Sequence, residues 1–78
     1  MAYTVWVDAD GFCNAELQIT VETVGQAMKE KQDLVKMDCG KVVIVAHDDS
    51  DEADDFADFV AGWEKPCKVT TLFKKYKG

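Results

Sequence analysis

The residues best able to do chemistry in this sequence are aspartates that follow two predicted strands. Asp8 and Asp10 lie at the end of the first strand, and Asp48 follows a later one. Strand ends are where α/β folds commonly bind ligands, and carboxylate oxygens suit hard cations such as magnesium. A divalent metal site at these three residues is the alternative prediction. The preferred prediction is that the chain binds no metal and no cofactor.

A second set of acids recurs with helical spacing. In the segment after Asp48, apolar residues fall on one side of a predicted helix, which Ser50 or Asp49 can cap. The opposite side carries a row of four carboxylates, Asp51, Asp54, Asp55 and Asp58. Like charges four residues apart destabilise a helix by about 0.2–0.5 kcal/mol each. We interpret this acidic row as a binding face; in the alternative interpretation it only keeps the chain in solution.

His47 is the single histidine. Its usual pKa near 6.5 makes histidine a candidate for acid–base catalysis. No nucleophile motif or glycine-rich phosphate loop accompanies it. We therefore predict a solvated His47 that pairs with Asp48 or Asp49, and no catalytic residue.

The cysteines are Cys13, Cys39 and Cys67, an odd number without a CxxC pair. This pattern indicates neither a disulfide framework nor a zinc ribbon. Reduced, buried thiols are the expected state. A zinc site made of the three cysteines and His47 is the alternative, although it lacks the usual local ligand spacing.

Residues 4–10, TVWVDAD, followed by Cys13-Asn14, resemble the opening of a small bacterial PIN-like nuclease family, whose first strand ends in VDAD before Cys-Pro. The resemblance implies a metal-dependent ribonuclease site with its first acid at Asp8. Val45-Ala46-His47-Asp48 would then correspond to a later acidic strand end. Gly11-Phe12 stands before Cys13 where the family has no insertion, and no proline follows it.

The sequence pattern of the first 21 residues predicts a β-hairpin. Residues 3–8 and 13–21 alternate apolar and polar side chains, which is typical of half-buried strands. Asp10-Gly11 between them favours a two-residue turn. A helix starting near residue 14 also fits part of the pattern, but the β-branched cluster at residues 19–21 favours a strand.

The remaining elements alternate between helix and strand. Residues 23–37 predict a helix capped by Thr23 or Thr20 and stopped at Gly40. Residues 41–46 form a β-branched run that is apolar on both faces, which is typical of a strand near the middle of a sheet. After the acidic helix, Pro66 marks a break, and residues 67–74 alternate as a last strand.

The order ββαβαβ predicts an α/β (α+β) two-layer sandwich in one domain, residues 1–78. We expect a four-stranded mixed sheet with right-handed crossovers and both helices on one face. The other face would then be bare and apolar, and a second copy or a target protein would cover it. Trp6 alternates with Thr4 and Asp8 on the polar side of its strand, which favours an exposed interface residue.

Composition restricts the partners. The chain has 78 residues, 15 acids, nine lysines and no arginine, and a formal charge of -6. This charge disfavours nucleic acid and anionic membranes, and arginine is the usual phosphate-binding residue. The first residues carry no basic region before a long apolar run, which predicts a cytosolic protein. We expect a non-enzymatic interaction or inhibitor module, of the kind that phages, other viruses and mobile elements encode to bind a host protein.

Overall fold

A computed structural model describes residues 1–9, 14–38 and 40–78 of the chain. The described part forms three strands and three helices in the order ββαβαα. These elements are β1 (Ala2–Val7), β2 (Glu16–Val21), α1 (Val24–Lys36), β3 (Val42–His47), α2 (Ser50–Ala61) and α3 (Val69–Lys77). The predicted turn at Asp10-Gly11 lies outside the described residues, as do Cys13 and Cys39.

The strands form one antiparallel sheet with the order β2-β1-β3. Val5 of β1 lies opposite Ile19 on one side and Ile44 on the other, and the β1–β2 register shifts by one residue between Val5 and Trp6. The antiparallel pairing of the first two strands confirms that part of the prediction. The central position of β3 was wrong, because β1 occupies the middle and β3 lies at an edge.

The segment predicted as a fourth strand, residues 67–74, was also wrong. Its greater part belongs to helix α3, which buries Val69 and Leu72. Phe73 and Tyr76 lie on the same side at helical spacing and are half-buried. The β-branched start, Val69-Thr70-Thr71, favoured a strand because these residues have high β propensity. Tertiary packing of the apolar side overrides that propensity here.

Helices lie on both faces of the sheet, so the predicted two-layer arrangement with one bare face was wrong. Helix α1 packs on one face, where Val5, Ala27, Leu34 and Val42 form a small core. Helices α2 and α3 cover the opposite face, where they form a larger, more aromatic core. A three-layer arrangement results, with the sheet in the middle.

One of the two candidate caps is confirmed at the start of each of the two predicted helices. The Thr23 hydroxyl accepts the backbone N–H of Gln26 at the start of α1, and Asp49 accepts that of Glu52 at the start of α2. Gly40 is in the left-handed region, with a φ of 97°, but α1 already ends at its C-cap Met37, and the left-handed residue that follows the cap is Asp38, with a φ of 55°. The predicted stop at Gly40 was therefore wrong. Within the described ranges, none of the helices has both the length and the apolar character needed to span a bilayer.

Candidate functional site

The acidic row lies on the outer surface of α2, as the sequence predicts. Burial of Ala53, Phe56 and Val60 fixes how the helix is rotated about its axis. The opposite side therefore points into solvent, and its four carboxylates fall within an arc of about 100° at 3.6 residues per turn. Asp51, Asp54, Asp55 and Asp58 are all exposed.

The charges of this row are not neutralised by neighbouring lysines. Among the described residues, the ion pairs are Lys77 with Glu52 and Lys68 with Asp8, and neither involves the row. The field of the row reaches α3, since the pKa of Tyr76 is raised first by burial and next by the charge of Asp55. The row therefore presents uncompensated negative charge to solvent.

Trp6, predicted as an exposed binding residue, is buried instead. Its side chain is 2% exposed and packs edge-on against Phe56, with 5.6 Å between ring centroids. The indole N–H donates to the Thr4 hydroxyl over 2.7 Å. Strand β1 is the central strand, and helices cover both of its faces. The face that carries Thr4, Trp6 and Asp8 is therefore buried as well. Trp6 belongs to the core and cannot anchor a partner.

Two of the three strand-end aspartates of the alternative metal site, Asp8 and Asp48, lie far apart. Strands β1 and β3 are antiparallel, with Ala2 opposite His47 and Val7 opposite Val42. Asp8 and Asp48 therefore lie at opposite ends of the sheet, roughly 20 Å apart at about 3.4 Å per residue. Asp10 lies outside the described residues. Within the described segments, no three histidine, cysteine or acidic side chains are grouped as metal ligands.

Asp8 has a structural role that the sequence did not reveal. One of its carboxylate oxygens accepts the backbone N–H of Val69 at 2.8 Å and that of Ala9 at 2.9 Å. The residue at the N-cap position of α3 is Lys68, which makes no side-chain cap. Asp8 therefore caps α3 from the end of β1, while Lys68 lies 3.9 Å from its other oxygen.

The prediction of a solvated His47 was wrong. The ring is 1% exposed and lies between Phe56 and Phe73, whose centroids are 5.4 and 5.7 Å away. Its Nε2 atom is 2.8 Å from the Thr4 hydroxyl oxygen, while the buried Nδ1 atom has no hydrogen-bond partner in the described part. The strand-end position suggested solvent, but α2 and α3 close over it.

Burial is the main influence on His47 and lowers its pKa. Lys77 lowers this pKa further, whereas the charges of Glu52 and Asp48 oppose the shift. The ring is therefore neutral in the folded protein near pH 7. A threonine hydroxyl beside a neutral imidazole has the geometry of a nucleophile with its base. With Thr4 0% exposed, however, a substrate has no access, and the pair serves packing.

Comparisons with known proteins gave no relative. A scan against protein-family models, a search of curated proteins and a search of solved structures each found no match. The proposals below therefore rest on the geometry of this chain alone.

Proposed function

We propose that this chain is a small cytosolic interaction module of the inhibitor type that binds a protein partner through the acidic row of α2. The observation that carries the proposal is the exposure of all four carboxylates without an ion pair among the described residues. No enzymatic step is assigned to the chain. Inhibitors of this kind are encoded by viruses, including phages, and by mobile elements, and we place the chain in that class.

The row supplies a rigid array of charge. The helix rises about 1.5 Å per residue, so residues three or four apart stand about 4.5–6 Å apart along the axis. Buried Phe56 and Val60 hold the helix to the sheet, so the charges are fixed in space before binding. A preorganised array loses little side-chain and backbone freedom on association, which favours affinity.

The matching partner surface is a basic groove, such as one that evolved to hold nucleic acid. Negative charge along a straight helix complements lysines and arginines that line such a groove, and complementary potentials increase the association rate. The same charge of -6 repels nucleic acid itself and anionic membranes. Binding should weaken as salt rises, because exposed charges are screened over about 8 Å at 0.15 M ionic strength.

A charge reversal tests the proposal. Asp54→Lys combined with Asp58→Lys inverts half of the row, and a matched control combines Glu16→Lys with Asp33→Lys, two exposed acids on β2 and α1. Both double variants change the net charge equally. In pull-downs from lysate with mass spectrometry, we expect the row variant to lose its specific partner and the control to keep it.

Two outcomes would contradict the proposal. In the first, the row variant captures the same proteins as the wild type. In the second, both double variants lose the same proteins. The second outcome would show that net charge, not the position of the carboxylates, determines what is captured.

A further inference from the structure

Strand β3 has an outer edge that no other described strand pairs with. The backbone N–H of Asp8 donates to the carbonyl of Lys41 at 2.8 Å. Antiparallel ladders alternate, so Val43, Val45 and His47 also direct their backbone groups toward β1. The backbone groups of Val42, Ile44 and Ala46 therefore point away from the sheet.

The composition of β3 is that of an interior strand. Its six residues, VVIVAH, contain no lysine, proline or acid. Natural edge strands are usually protected by charges, prolines or bulges, because a free edge is a template for another strand. The other edge strand, β2, follows this rule, since it begins at Glu16, includes Gln18 and Thr20, and carries the register irregularity.

An open groove of about 300 Å³ runs beside the free edge. Its floor is the edge of β3 and its wall is α3, and it is lined by Ile44, Val45, Ala46, Thr70, Phe73 and Lys74. The occupant must be extended, because only a β-strand can pair with a row of outward backbone groups.

We propose that this occupant is β3 of a second copy of the chain, paired antiparallel about a two-fold axis at Val45. Ile44 of each copy would then lie opposite Ala46 of the other, in hydrogen-bonded pairs. The sheet would become six-stranded, with β3 in the interior position that its composition favours. A two-fold axis makes each contact occur twice.

Charge complementarity selects a second copy over an unrelated strand. Lys41 precedes β3, and Asp48 and Asp49 follow it. In the antiparallel pair, the end of each strand that Lys41 precedes lies beside the end of the other strand that Asp48 follows, so opposite charges come close together at both ends. This interface uses the edge of β3 and none of the acidic row, so it is independent of the proposed function.

Proline substitutions on the two sheet edges provide a matched test. Proline is tolerated where the backbone N–H faces solvent, but it removes the donor that a new strand needs. Ala46→Pro does this on β3, and Thr20→Pro does it on β2, where Thr20 lies opposite Thr4. Both residues are exposed. By sedimentation equilibrium at high micromolar concentration and 0.15 M salt, we expect dimers for the wild type and Thr20→Pro, and a monomer for Ala46→Pro.

A charge variant keeps the test decisive if a proline variant fails to fold. Lys41→Asp places a negative charge near Asp48 and Asp49 of the other copy at each end of the paired strands. The control Lys29→Asp on α1 changes the net charge by the same amount away from the interface. We expect Lys41→Asp to raise the dimer Kd about tenfold more than Lys29→Asp, because the two-fold axis makes the change in charge act at both ends of the paired strands. A monomeric wild type, a folded Ala46→Pro dimer, or equal effects of the two charge variants would overturn the proposal.

Discussion

The two faces of the sheet are packed very differently. On the α2/α3 face, Phe56 is fully buried, with Phe73 and Tyr76 at centroid distances of 5.3 and 5.5 Å. On the α1 face, the buried helical residues are only Ala27 and Leu34. Aromatic side chains bury more area per residue than aliphatic ones. We infer that the α2/α3 face supplies most of the stability of the fold.

Helix α1 also leaves apolar surface exposed. Val24, Met28 and Val35 lie on one side of the helix and are about half exposed or more, at 55%, 46% and 56%. The helix has a clear apolar side, but it is rotated so that only one edge of that side meets the sheet. The comparison shows that an amphipathic pattern fixes which residues share a side and does not fix how deeply that side is buried.

Truncation of one core residue on each face should give the largest difference. Phe56→Ala should lower the free energy of unfolding by about 3–5 kcal/mol, because it leaves a cavity among aromatic rings. Leu34→Ala on the α1 face should lower it by about 2 kcal/mol, at the low end for leucine, since the thinner layer can collapse. Urea denaturation followed by tryptophan fluorescence measures both, and equal losses would contradict the proposed asymmetry.

A smaller effect is expected from the buried hydrogen bonds of the α2/α3 face. Thr4→Val keeps the shape of the side chain but leaves the Trp6 N–H and the His47 ring nitrogen without their partner. The free energy of unfolding should decrease by about 1–3 kcal/mol. Thr20→Val is the control, since Thr20 lies opposite Thr4 on β2 and is exposed. If the two variants are equally stable, the buried network contributes nothing.

The smallest effect should appear as a dependence on pH. The pKa of His47 is lowered in the folded state from its usual 6.5, so the unfolded chain takes up the proton first as the pH falls. The stability that neutral, buried His47 contributes to the folded state is fully present above pH 6.5. It is lost as the pH decreases from 6.5 toward the folded-state pKa. Urea denaturation at several pH values should show that the free energy of unfolding decreases as the pH falls from about 7 to about 5. Most carboxylates titrate below this interval.

His47→Gln is the control for this dependence, because glutamine does not titrate. Its stability should change less between the same pH values than that of the wild type. An identical slope in the two proteins would show that His47 does not cause the dependence.

The sequence alone determined the elements whose hydrophobic period, together with side-chain propensity, favours one type of structure. Alternation identified β1, alternation and the β-branched cluster at residues 19–21 identified β2, and helical spacing identified α1 and α2. Thr23 and Asp49, each one of two candidate caps, begin the two helices. The exposed acidic row followed from the same periodicity, because the side of a helix opposite its apolar residues faces solvent. These features depend on local stereochemistry, which a sequence carries directly.

Only the tertiary structure decided the rest. Val69–Lys77 fits both periods, and it forms a helix in which Asp8, 61 residues earlier, supplies the cap. The same packing put β1 in the centre of the sheet, placed helices on both faces, and buried Trp6 and His47. Each outcome depends on contacts between residues that are distant in the chain, and the pattern of a single segment contains no record of its neighbours in space.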